Sequence, residues 1–261
     1  MQLILFVFII IFILFFKIFY GILWLELFFR EINFMDINSL SGLQRADLAW
    51  RNTTPINILE QLSEDLEWEI RERVAKNFST PIYILRKLAK DEDYFVRIAV
   101  AENFNTPLDV LEMLSDDKFS EVRMAVAYNI RTSEKILEKL TFDKNSKVRY
   151  YVAMNLHTPL NSLKLLTHDK DFQVRKCMAL NSSIHLEVLG LLSQNNSAYI
   201  RSYVASNKKT SIEILKNLAK DRFKRVRLEV AENKNTTDEI LKILANDKDI
   251  KIKNIAKKRL E

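Results

Sequence analysis

Residues 80–106 read TPIYILRKLAKDEDYFVRIAVAENFNT. Thr80 and Pro81 together form a helix start, Thr as the N-cap and Pro at the first helical position. Ile84, Leu85 and Leu88 then share one face at helical spacing. Asp91 closes this first helix and Glu92-Asp93 make the turn. Val96, Val100 and Ala101 give a second helix its apolar stripe, and Asn103 stands near its end, where an Asn can adopt a left-handed cap conformation. The segment is a short helical hairpin.

The same grammar recurs along the chain. Arg45, Arg71, Arg97, Arg123, Arg149, Arg175, Arg201 and Arg227 fall 26 residues apart without an insertion, and Lys253 takes the next step. Leucines keep the register in two further columns, Leu59 to Leu241 and Leu62 to Leu244. Helices this short are marginal alone, so burial against the neighbouring unit must stabilise them. The reading is all-α: a solenoid of eight 26-residue hairpins over residues 45–261. The half unit from Arg45 caps one end, and Ala256, Lys257 and Arg259, in place of Val, Ala and Asn, change the other. A strand-based leucine-rich repeat is excluded by the helical spacing of the leucines. HEAT and armadillo units share the grammar but run to about 40–47 residues.

Thr80-Pro81, Leu85, Leu88, Asp91, Val96-Arg97, Val100-Ala101 and Asn103, with their copies over residues 45–261, resemble the leucine-rich repeat variant family of bacterial proteins, a HEAT-like style of α-solenoid. The resemblance implies a right-handed superhelix in which one helix of each pair is tight and 3₁₀-like. Some members carry a cysteine-ligated iron–sulfur cluster ahead of the repeats. With Cys177 as the sole cysteine, that part does not carry over and no cofactor is expected.

Among 261 residues, 48% hydrophobic and 28% charged, three glycines and four prolines are too few for a turn-rich β fold. A single cysteine forms no intrachain disulfide, which fits a reducing compartment. The net charge of +6 is concentrated at the C-terminal end, where residues 201–261 hold 17 Lys/Arg against 9 Asp/Glu.

Residues 1–30 are foreign to this pattern. Leu3 to Phe16 is unbroken apolar sequence, and Ile18 to Leu25 continues it beyond Lys17. In a helix, residues 3–25 would span a bilayer of roughly 30 Å, with Tyr20 and Trp24 as interfacial aromatics. This reads as a single-pass membrane anchor with the repeats on the cytoplasmic side, since Arg30, Arg45 and Arg51 follow it. Two readings stand beside it: a start at Met35, giving a soluble cytoplasmic chain, and a helix that caps the solenoid. Residues 31–44 are the linker.

The arginine column is the first candidate for function. An acid precedes each Arg by six residues: Asp65 before Arg71, Asp91 before Arg97, Asp117 before Arg123, Asp143 before Arg149, Asp169 before Arg175 and Asp221 before Arg227. Asn195, ahead of Arg201, breaks the series. These residues are expected to form a structural ladder rather than a ligand site, with Asp117 left unpaired if Arg123 is removed.

Catalysis has no constellation to rest on, because His157, His168 and His185 occupy unrelated repeat positions and no Gly-rich phosphate loop exists. The chain reads as a non-enzyme with no small-molecule substrate or metal. Recognition by a solenoid uses its variable columns, and Tyr150, Tyr151, Tyr199 and Tyr203 fall there, suited either to binding a protein or peptide or to packing between units. Lys220, Arg222, Lys224 and Arg225 form the densest basic run, a candidate for nucleic acid or another anion, with a solvated basic face as the plainer reading. The unit from Ile184 to Asn207 departs most from the pattern: Ile184 replaces Thr, Gly190 lies inside a helix, and Asn195 replaces Asp. Both a flexible joint and simple drift fit this.

Overall fold

The computed structural model describes residues 37–261. It divides into two compact units at Thr106–Pro107. The apolar segment 3–25, and Met35 as an alternative start, lie outside the described residues. Among the described residues no helix is long and apolar enough to cross a membrane.

After a 3₁₀ turn at Ile37–Ser39, the first unit contains α1 (Gly42–Trp50), α2 (Ile56–Leu62), α3 (Trp68–Lys76), α4 (Ile82–Leu88) and α5 (Tyr94–Glu102). The second contains α6 (Leu108–Leu114), α7 (Ser120–Tyr128), α8 (Glu134–Leu140), α9 (Ser146–Met154), α10 (Leu160–Leu166), α11 (Phe172–Leu180), α12 (Leu186–Leu192), α13 (Ala198–Ser206), α14 (Ile212–Leu218), α15 (Lys224–Glu232), α16 (Asp238–Leu244) and α17 (Ile250–Leu260). The described residues are all helix and connecting turn, a helical-repeat architecture. Even-numbered helices have seven residues and odd-numbered ones nine, apart from the eleven of α17.

Within each unit, long helices pack against the next long helix and short helices back them. The two leucine columns and the Val-Ala columns are almost completely buried. Each buried Leu or Val is stabilised by about 1.5–3 kcal/mol relative to exposure, and each Ala by less. A seven-residue helix holds its place through that packing.

Three local expectations are corrected. Thr80 is not an N-cap: Pro81 occupies that position, and the Thr80 hydroxyl, buried, donates back to the Val74 carbonyl at the end of α3 (2.5 Å). Thr106, Thr132, Thr158, Thr210 and Thr236 repeat the bond. That carbonyl is one of the unpaired acceptors at a helix C-terminus, so the hydroxyl serves the helix it follows. Asn103 is extended (φ −69°, ψ 124°) rather than left-handed, and no described residue has positive φ. The short helices are α-helical, with i→i−3 bonds at their ends, as in Ile84 N–H to Pro81 and Asp91 N–H to Leu88.

Candidate functional site

The arginines and aspartates join neighbouring repeats. The Arg71 guanidinium donates to both carboxylate oxygens of Asp91, twenty residues ahead (2.7 and 2.9 Å), and its other nitrogen takes the Asp65 and Leu66 carbonyls. Asp91 also accepts the Asp93 N–H, which sets the turn into α5. The arrangement recurs in Arg45–Asp65, Arg123–Asp143, Arg149–Asp169, Arg201–Asp221 and Arg227–Asp247, at 2.5–2.6 Å. Arg97 likewise takes the Asp91 carbonyl. Arg123 therefore uses the backbone of Asp117 and the side chain of Asp143. For Arg71, Arg123, Arg149 and Arg227 the carboxylate six residues before is not the one that pairs, because the fork spans from its own turn to the next.

This bidentate geometry holds Arg71, Arg123, Arg149 and Arg227 above the ordinary guanidinium range, chiefly through the hydrogen bond to the partner carboxylate. Burial works to raise Asp143 and Asp221, but the bonds from Arg123 and Arg201, with those from backbone N–H groups, leave both lowered. Asp247 is lowered, first by its bond from Arg227.

A second ladder was not read from the sequence. The Asn77 amide donates to the Ala49 and Arg51 carbonyls of the preceding repeat (2.8 and 3.0 Å), and Asn103, Asn155, Asn207 and Asn233 repeat the pair. The signal was present as an invariant Asn column. At the C-terminal end Arg259 takes the same two carbonyls, those of Ala231 and Asn233 (2.6 and 2.7 Å). The last helix is thus clasped as α3, α5, α9, α13 and α15 are, although its sequence has changed.

The four candidate tyrosines fall into two groups on the long helices of the second unit. Tyr150 and Tyr151 on α9 meet edge to face at 5.5 Å, and Tyr151 meets Tyr128 on α7 the same way at 5.8 Å. Tyr128 is 60% exposed, and the equivalent positions on the next two long helices carry Met154 and Leu180, 43% and 48% exposed. Ile130 and Leu156 protrude from the adjoining loops. Tyr128, missed from the sequence, belongs to a column of final long-helix residues that turns apolar from α7 to α11. Tyr199 and Tyr203 on α13 are engaged differently: Arg225 lies over the Tyr199 ring (4.2 Å) and Lys176 over that of Tyr203 (5.5 Å).

The basic run is dispersed. Lys220 lies in solvent in the turn after α14, Arg222 lies over Phe223 (4.8 Å), Lys224 reaches Asp249 (3.6 Å) and Arg225 covers Tyr199. A depression of about 390 Å³ beside Lys224, Arg225 and Lys251 also carries Glu229 and Asp249, over Leu228 and Ile252. Burial, with Glu232 nearby, pushes the Glu229 carboxyl above its ordinary range. The surface is mixed in sign. His157, His168 and His185 lie on separate loops, all exposed.

No family model and no curated protein matches the sequence. Among solved structures, a leucine-rich repeat variant with a repetitive structural motif is similar over 85% of this chain and 88% of its own, with 28% identity and a TM-score of 0.66. An engineered protein aligns over 81% and 82% with 15% identity and a TM-score of 0.34, and a designed armadillo repeat protein over 85% and 94% with 15% identity and a TM-score of 0.25. In its repeat columns and in its fold alike, the chain is similar to the leucine-rich repeat variants.

Proposed function

We propose that this chain is a non-catalytic interaction scaffold that binds a protein or peptide on the long-helix face of its second unit. The observation that carries the reading is the aromatic cluster of exposed Tyr128 with half-buried Tyr150 and Tyr151, continued by exposed Met154 and Leu180. Such rings present apolar area with a polar tip and little rotamer freedom, the properties of binding hot spots. The ladder arginines are the weaker candidates, since their donors are committed to aspartates and turn carbonyls. Nucleic-acid binding on the C-terminal repeats is weakened by Glu229 and Asp249, which lie among the cations.

The test is selection of binders to the folded chain from a random peptide library, followed by affinity measurements on Tyr128→Ala, Tyr150→Ala and Tyr151→Ala. Hot-spot truncations cost about 2 kcal/mol or more, so an affinity loss of at least about tenfold is expected with unchanged melting. Selected peptides that bind all three variants as tightly as the parent overturn the proposal.

A further inference from the structure

Three polar devices hold the helices of the second unit in place: the arginine fork forward to an aspartate, the asparagine amide back to two carbonyls, and the threonine hydroxyl back to its own helix. Around α11 all three are altered. Residue 195 is Asn, and the Arg175 Nε is buried without an acceptor, although another nitrogen of the guanidinium reaches the Asp169 carbonyl. Asn195 Oδ1 accepts the Ser197 N–H (3.0 Å), as Asp91 Oδ1 accepts the Asp93 N–H, so the other carboxylate oxygen, which accepts the arginine Nε in the intact forks, is replaced by an amide NH₂ that cannot accept. Turning the amide over would satisfy Arg175 and strand Ser197, so neither orientation satisfies both donors. Asn181, at the other end of α11, makes none of the bonds to the preceding repeat that Asn155 and Asn207 make to theirs. Ile184 has no hydroxyl for the end of α11. Gly190 in α12 leaves open space where the other repeats have a side chain.

The losses lie on a diagonal. Toward the preceding repeat, α11 keeps the Arg149–Asp169 clasp near its N-terminus and lacks the asparagine clasp at its C-terminus. Toward the following repeat it keeps the Asn207 clasp at its C-terminus and lacks the arginine clasp at its N-terminus. Val174, Met178 and Ala179 remain fully buried, so the apolar core is continuous and only the directional bonds are missing. A helix pinned at opposite ends to its two neighbours can tilt without unpacking.

We propose that α11 is a rocker, a joint about which the repeats on either side of it change their relative tilt. Its place gives the motion a use that rests on the binding surface proposed above and extends it to α13: Tyr150 and Tyr151 stand on α9, Tyr199 and Tyr203 on α13, with Lys176 of α11 over Tyr203 between them. Tilting α11 alters the spacing of the two tyrosine groups, so the surface adjusts to the partner it receives.

Hydrogen exchange of the full chain with no partner present tests the joint. Regions with fewer hydrogen bonds open locally at lower free energy. Amides in 172–195 should exchange at least about tenfold faster than repeat-equivalent amides in 146–169 and 198–221. Asn195→Asp with Ile184→Thr should remove most of that difference, and Asp221→Asn, which moves the missing carboxylate to the next repeat, should speed exchange around α13. Equal exchange across the three segments in the parent chain overturns the joint. So does fast exchange at 172–195 that survives the double substitution. Because no peptide is present, failure of the tyrosine surface leaves this result intact and identifiable.

Discussion

Arg123→Ala removes one fork from the middle of the second unit. In the intact protein Arg123 donates to Asp143 at 2.5 and 2.9 Å and to the Asp117 carbonyl at 2.7 Å, and the two side chains are only 8% and 6% exposed. Truncation leaves the Asp143 carboxylate buried with the Asn145 N–H as its remaining donor. Removing one partner of a buried pair costs about 3–5 kcal/mol, because the other charge stays desolvated. The urea midpoint, followed by circular dichroism at unchanged m-value, should fall accordingly. Lys135→Ala breaks a pair whose two side chains are 81% and 53% exposed, and it should shift the midpoint far less. Replacing both members, Arg123→Met with Asp143→Asn, should cost less than Arg123→Ala alone, since no buried charge is then stranded. A loss below about 1 kcal/mol for Arg123→Ala, or a double variant less stable than the single one, refutes the assignment of the fork to stability.

Three further outcomes follow from the same geometry. Asp143, Asp221 and Asp247 titrate below the ordinary carboxylate value of about 3.9, so their contribution is complete above that value and is lost as pH falls through the folded pKa; unfolding midpoints should be flat from about pH 5 to 8 and drop below about pH 4, less steeply in Asp143→Asn. Burial pushes the Cys177 thiol up to about 12, so a thiol reagent at neutral pH should label the unfolded chain and leave the folded one unmodified. Asn155→Ala, which forfeits bonds to the Ala127 and Asn129 carbonyls, should destabilise by about 1–3 kcal/mol, whereas Asn181→Ala should cost less than about 1 kcal/mol in the same unfolding assay.

The helices were legible because every unit carries its leucines at the same two offsets, and a period that admits no insertion leaves one way to stack the hairpins. The partner of each arginine was not. A six-residue spacing suggests a local pair, but the distance between one turn and the next is a property of the stacked repeats, and it brings Asp143 rather than Asp117 to the Arg123 side chain. Thr80 and Asn103 misled for a related reason: both are cap residues by type, yet the acceptors they reach are carbonyls at helix ends, one in the helix just before and one in the preceding repeat. The columns of Tyr150 and Tyr151 could be written down from the register. Their contact with Tyr128 could not, since that ring comes from a third column on a different helix.

The binding surface is tested most directly by a titration of the ¹³C-tyrosine-labelled chain with a selected peptide, followed by NMR. The prediction is that the Tyr128, Tyr150 and Tyr151 resonances move together and saturate at the affinity measured for the complex. Saturable shifts of the ladder guanidinium groups, such as Arg123 and Arg149, with all three tyrosines unmoved would contradict it and make the arginine column the site of recognition.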